Sequence, residues 1–179
     1  MHALFGTAIV FHIVSIFEEV GKGKAEAFSY FIPAAIFSTT SNLFASWAAD
    51  KINLKPILII MLLSFCVGSL GFINLEKDWG FWVLAFGFGV GGGLWGVISN
   101  LTFIRFFGPK HLGEISGFST SLTVFASAIG PAAFSLGFDY FGNYAAPAKI
   151  CLGFLIILLL FSVFLDHKEE KKESLFGTL

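Results

Sequence analysis

Six long apolar runs, cut by short polar breaks, organise this chain. They cover 3–18, 26–49, 56–75, 79–106, 113–138 and 145–165. A helix needs about 20 mostly apolar residues to cross the hydrocarbon core of a bilayer. The pattern therefore predicts an all-helical, polytopic membrane protein with six transmembrane helices. The breaks are Gly21-Lys22-Gly23-Lys24, Asp50-Lys51-Ile52-Asn53-Leu54-Lys55-Pro56, Glu76-Lys77-Asp78, Gly108-Pro109-Lys110-His111 and Gly142-Asn143-Tyr144. Loops this short make consecutive helices antiparallel neighbours. The first run is the shortest and begins almost at Met1, so it reads as clipped at its start.

Composition agrees with the pattern. Hydrophobic residues make up 56 % of the 179 positions and charged residues 13 %, against roughly 25 % charged in soluble domains. So few charges cannot cover a globular surface, and most of the outer face must meet lipid. The net charge of −1 gives no sign of a nucleic-acid partner. Cys66 and Cys151 each sit inside an apolar run and read as small packing residues. The opening Met1-His2-Ala3-Leu4 has no basic region and does not read as a cleavable leader.

Basic residues set the expected orientation. The second and fourth breaks with their flanks, and the tail, hold seven: Lys51, Lys55, Arg105, Lys110, Lys168, Lys171 and Lys172. The other breaks hold four: Lys22, Lys24, Lys77 and Lys149. The richer side is expected to be cytoplasmic, with both termini inside, in the cell (inner) membrane. The chain then divides into a six-helix bundle over 1–165 and a charged cytoplasmic tail over 166–179. Trp79, Trp82, Tyr140 and Tyr144 flank the opposite helix ends, as an aromatic belt would.

Three motifs mislead. Gly87-Phe88-Gly89-Val90-Gly91-Gly92 has dinucleotide-fingerprint spacing, but it lies inside one apolar run with no preceding strand. Gly87/Gly91, Gly89/Gly93 and Gly92/Gly96 instead have the small-xxx-small spacing of close helix packing. Asn100-Leu101-Thr102 matches a glycosylation acceptor but falls within an apolar run. Gly117-Phe118-Ser119 lacks the second glycine and the nearby histidine of a serine hydrolase. No catalytic set, metal set or cofactor is implied, and the chain does not read as an enzyme.

Polar residues inside membrane helices face the bundle interior. His12 is the only ionisable side chain well inside an apolar run, and Ser15 and Glu19 share its helical face. Imidazole changes charge near neutral pH, so His12 could carry a proton or meet an anionic solute; the alternative is a neutral histidine bonded to a neighbouring helix. Ser38 pairs with Asn42, and Trp95 with Ser99, at one-turn spacing. Ser116, Ser119, Thr120, Thr123 and Ser127 form a stripe leading to Pro131 and read as interhelical hydrogen-bonding groups.

The second break, Ser46-Trp47-Ala48-Ala49-Asp50-Lys51-Ile52-Asn53-Leu54-Lys55, resembles the loop signature of the major facilitator superfamily, Gly-x-x-x-Asp-Arg/Lys-x-Gly-x-Arg/Lys. Asp50, Lys51 and Lys55 fall on matching positions. Ser46 and Asn53 replace its glycines, and asparagine still suits a tight turn. Residues 107–117, Gly130-Pro131, residues 139–144 and residues 11–21 also resemble family segments in the right order.

The resemblance implies helices seven to twelve of a twelve-helix transporter, and so a partner in a missing N-terminal half or a second copy, besides the lipid bilayer and a small-molecule substrate. It implies secondary active transport by alternating access, of a small organic anion by family analogy. It also implies a cytoplasmic gate of Asp50, Lys51, Lys55 and Arg105, alternatively only an anchor at the headgroups. The substrate or proton pathway would draw on His12, Ser15, Glu19, Asn42, Trp95 and Ser99. The competing reading is a truncated, non-transporting remnant or scaffold.

Overall fold

The computed structural model describes residues 2–108 and 112–164, without the side chain of Phe107. The expected tail, Leu165 and Pro109-Lys110-His111 lie outside the described residues. Among the described residues seven helices follow one another: α1 (His2–Glu19), α2 (Lys24–Ser29), α3 (Phe31–Ala49), α4 (Leu54–Ile73), α5 (Asp78–Phe107), α6 (Leu112–Phe141) and α7 (Ala145–Phe164). The fold is all-helical, as the apolar pattern requires.

The second apolar run does not form one helix. It divides at Tyr30 into α2 and α3. Pro33 explains the break, because it has no N–H for the Ser29 carbonyl and its ring crowds that carbonyl. Among the described residues five helices are long and apolar enough to cross a membrane: α1, α4, α5, α6 and α7. α3 has the length, but Ser38, Thr39, Thr40, Ser41 and Asn42 lower its hydropathy. Two of those residues hydrogen-bond to α5. The Ser41 hydroxyl donates to the Val90 carbonyl at 3.3 Å, and Asn42 Nδ2 donates to the Gly93 carbonyl at 2.9 Å.

α5 is the central element. It packs between α3 and α4, α4 packs on α7, and α1 packs on α6. The glycine rows serve different neighbours. A Cβ on Gly87 would collide with the Gly68 backbone of α4, and one on Gly93 with Ser38 and Ser41 of α3. Gly92, on a third face, has nothing nearer than 3.8 Å. α1 and α6 also approach closely, since a Cβ on Gly130 would meet the Leu4 carbonyl.

Phe5 of α1 knits the two groups together. It is 1 % exposed, with ring centroids 5.8 Å from Phe72 on α4, 4.9 Å from Phe88 on α5 and 5.4 Å from Phe134 on α6. Burial is uneven around this centre. Of the apolar window in α4, 56 % is buried, but only 11 % of that in α6. Phe118, Leu122 and Phe125 of α6 and Leu43, Phe44 and Trp47 of α3 are exposed. These helices present faces that the described residues leave uncovered.

Candidate functional site

The polar groups gather at three levels: the bundle end that carries Glu19, the middle, and the end that carries Asp50.

At the Glu19 end, two left-handed glycines place the residues. Gly21, at φ +76°, closes α1, with Lys22 N–H donating to the Phe17 carbonyl at 2.9 Å and Gly21 N–H to the Glu18 carbonyl at 3.0 Å. That Schellman arrangement leaves Glu19 at the helix end. Gly142, at φ +72°, closes α6, with its N–H on the Phe138 carbonyl at 2.7 Å. Asn143 Oδ1 then caps the start of α7 by accepting from Ala146 N–H at 2.9 Å. Tyr144, held between these turns, donates its backbone N–H to Glu19 Oε2 at 3.0 Å.

His12 reaches the same tyrosine. Its Nε2 lies 3.0 Å from the Pro131 carbonyl, and its Nδ1 3.4 Å from the Tyr144 hydroxyl. A carbonyl only accepts, so Nε2 carries the hydrogen; in neutral imidazole Nδ1 is then the acceptor and the phenol donates. The His12 and Tyr144 rings lie 5.4 Å apart, and Phe138 covers Tyr144 from the other side at 4.6 Å. Ser15 also hydrogen-bonds to the Tyr144 side chain. Burial, then the negative charges of Glu19 and Asp139, hold the Tyr144 hydroxyl above the usual phenol range, with the Ser15 bond opposing. The three residues grouped by sequence spacing thus converge on one tyrosine, which the aromatic-belt reading had placed at the surface. Trp79, Trp82 and Tyr140 are exposed there, whereas Tyr144 is buried.

In the middle, α1, α3, α5 and α6 enclose an open cavity of about 670 Å³. A smaller one of about 320 Å³ lies between α4, α5 and α7. Trp95 and His2 line both. His2 stands at the start of α1 but midway along α5, its ring 5.5 Å from that of Trp95 and 5.1 Å from that of Phe65. Asn42 and Ser99 line neither cavity; Asn42 ties α3 to α5, and the Ser99 hydroxyl donates to the Gly96 carbonyl of its own helix at 3.4 Å.

The hydroxyl stripe of α6 does not bridge helices as expected. Ser116 donates to the Gly113 carbonyl at 3.3 Å, Thr123 to that of Ser119 at 2.8 Å and Ser127 to that of Thr123 at 3.0 Å. Among the described residues no neighbouring helix offers these hydroxyls a partner on that face of α6, and the preceding turn accepts them.

At the Asp50 end, Arg105 of α5 crosses to the last turn of α3. Its Nη2 donates to the Ala49 carbonyl and its Nη1 to the Ile52 carbonyl at 3.3 Å. A guanidinium there caps orphan carbonyls at the negative end of the helix dipole. Asp50 lies between those two carbonyls and is exposed. Lys51 folds back over Trp47, 3.9 Å from its ring centre, and Lys55 is half-buried in the first turn of α4. Arg105 is therefore docked on the backbone flanking Asp50.

Sequence spacing could not find His2 or the inward turn of Tyr144. His2 sits beside the chain start, where nothing in the pattern tells buried from exposed. Its depth follows from where α1 docks along α5.

Residues 3–178 match the family described as the Major Facilitator Superfamily. No curated protein and no solved structure matches the chain.

Proposed function

The chain belongs to the major facilitator superfamily, a family of membrane transporters, and on that premise we propose that it takes part in secondary active transport of a small solute by alternating access. The observation that carries this reading is the cavity of about 670 Å³ between α1, α3, α5 and α6. It opens in the middle of the bundle, beside the two helices with the largest uncovered faces. A second six-helix bundle, either an N-terminal half or a second copy, closes that side. Rocking of one bundle against the other exposes the cavity to each side in turn.

Three parts of the site take roles in this proposal. Trp95 lines the solute path. His12, with Ser15 and Glu19, forms a proton-sensitive tie between α1 and the α6–α7 turn. Asp50, Lys51, Lys55 and Arg105 form the gate at the other end, with Arg105 holding α5 to the turn of α3. That end faces the cytoplasm, in the cell (inner) membrane, because it carries more basic residues.

Side-specific labelling tests the proposal without a known substrate. A Thr123→Cys variant in a Cys66→Ala, Cys151→Ala background places a single thiol on the cavity wall. Alternating access predicts labelling by a membrane-impermeant maleimide applied from either side. Labelling from one side alone, or from neither, would favour a scaffold over a transporter.

A further inference from the structure

Two groups of helices pack differently within themselves and against each other. α5 packs between α3 and α4, and α4 packs on α7; α1 packs on α6. Inside each group, backbones touch. A Cβ on Gly87 would strike the Gly68 backbone of α4, one on Gly89 the Ala34 carbonyl of α3, and one on Gly130 of α6 the Leu4 carbonyl of α1. His12 Nε2 adds a bond from α1 to the Pro131 carbonyl of α6 at 3.0 Å. Backbones this close leave no room for sliding. Between the groups, side chains meet instead. Phe5 lies against Phe72 and Phe88, and Phe17 against Phe81 with ring centres 6.2 Å apart. A Cβ on Gly137 of α6 would meet the ring of Pro147 on α7, not its backbone. Side-chain layers of this kind permit small shear movements of one helix set over another.

The chain connections follow the same division. Among the described residues three glycines have positive φ: Gly21 at +76°, Gly108 at +68° and Gly142 at +72°. They stand where the chain passes from α1 to α2, from α5 to α6 and from α6 to α7, the three crossings between the α1–α6 pair and the rest. A Cβ on any of them would meet nothing within 4 Å. A glycine in open space absorbs a change of φ and ψ at little cost. The turns inside the larger group, residues 50–53 and 74–77, contain no glycine.

The central cavity lies on the dividing line, with α1 and α6 on one side and α3 and α5 on the other. At the Glu19 end Tyr144, the residue before α7, bridges the division. Its N–H donates to Glu19 Oε2 at 3.0 Å, and its side chain bonds to His12 Nδ1 at 3.4 Å and to Ser15. All three partners belong to α1. The exposed Lys24–Glu18 pair, at 4.0 Å, adds little.

We propose that α1 and α6 form one movable wall of the cavity, turning on Gly21, Gly108 and Gly142 against the block of α3, α4, α5 and α7, with Tyr144 as the latch that holds it. This movement is internal to the chain and separate from the rocking of two bundles.

The test measures spin-label distances by electron paramagnetic resonance in the full chain, in lipid nanodiscs and a Cys66→Ala, Cys151→Ala background. Three cysteine pairs at exposed positions are compared. Trp82→Cys with Leu136→Cys spans the division, Phe11→Cys with Leu136→Cys lies inside the pair, and Trp82→Cys with Ile150→Cys lies inside the block. Tyr144→Phe removes the hydroxyl bonds of the latch, and Glu19→Ala removes its backbone bond. The expected result is that the spanning distance shifts or broadens by about 2 Å or more in one variant or both, the scale of a helix shift at an interface, while the other two distances hold. A spanning distance that stays fixed in both variants overturns the proposal. So does a pair or block distance that changes along with it, because the moving units would then not be those assigned. No readout is transport, so a failed latch leaves the alternating-access reading standing, and a failed transport assay leaves the wall.

Discussion

The Tyr144 hydroxyl donates to His12 Nδ1 across 3.4 Å, and that contact joins two helix systems 132 residues apart in sequence. His12 is simultaneously tied to the Pro131 carbonyl of α6. Protonation of Nδ1 would turn the group facing Tyr144 from acceptor into donor and reverse the direction of the bond. With this reversal coupled to the transport cycle, His12→Gln is expected to flatten the pH dependence of uptake. Tyr144→Phe reduces the variation without abolishing membrane insertion. An unchanged pH profile in both variants would remove His12 from the proton pathway.

A second pH effect lies far to the alkaline side. The Tyr144 hydroxyl is held above the usual phenol range, so the folded chain keeps this proton where the unfolded chain has lost it. Its contribution is complete below about pH 10, the ordinary phenol value, and declines as pH rises beyond it. Thermal unfolding in detergent should show a steeper alkaline loss for the parent than for Tyr144→Phe.

At the opposite end, Asp50→Asn is expected to lower transport while leaving insertion and folding intact, because Asp50 is exposed and Arg105 is held by backbone carbonyls. Arg105→Ala is expected to do more, since it also uncaps α3, at a cost of about 1 kcal/mol or less. Uptake and melting temperature, measured together, separate the two. Unaltered uptake in Asp50→Asn would leave this residue an anchor only.

Two glycines on neighbouring faces of α5 give a sharp contrast. Gly87→Ala forces a methyl into the Gly68 backbone of α4 and should cost about 1–3 kcal/mol or more, with loss of folded protein on size-exclusion chromatography. Gly92→Ala meets nothing nearer than 3.8 Å and should stay within about 0.5 kcal/mol of the parent. Equal behaviour of the two would contradict the assigned faces.

Asn42→Ala removes the bond to the Gly93 carbonyl. Interhelical bonds of this kind average about 0.6 kcal/mol in membranes. A small fall in melting temperature with unchanged solute affinity is the outcome expected of a residue that ties α3 to α5 and does not line the cavity.

Much of this protein is legible in its sequence because bilayer thickness and backbone hydrogen bonding act locally. An apolar run of about 20 residues must become a helix in lipid, and the breaks after residues 20, 50, 75, 107 and 141 are each written in charge, glycine or both. The glycines of α5 announce close packing through their spacing alone. The loop around Asp50 carries enough of its signature to indicate the family, which the match over residues 3–178 establishes.

What the spacing could not contain is which face meets which neighbour, since that depends on where separate helices dock along one another. Pro33 divides an apolar run that looked continuous. The hydroxyls of α6 bond backward because, among the described residues, no acceptor on another helix comes within reach of them, and that distance leaves no mark on the local pattern. Tyr144 resembles a surface aromatic by position, yet it is buried because Gly21 and Gly142 turn two chain segments toward one point. His2 becomes a cavity residue because α1 docks with that residue beside the middle of α5. Local physics decides the elements; long-range packing, which brings together residues more than a hundred positions apart, decides the site.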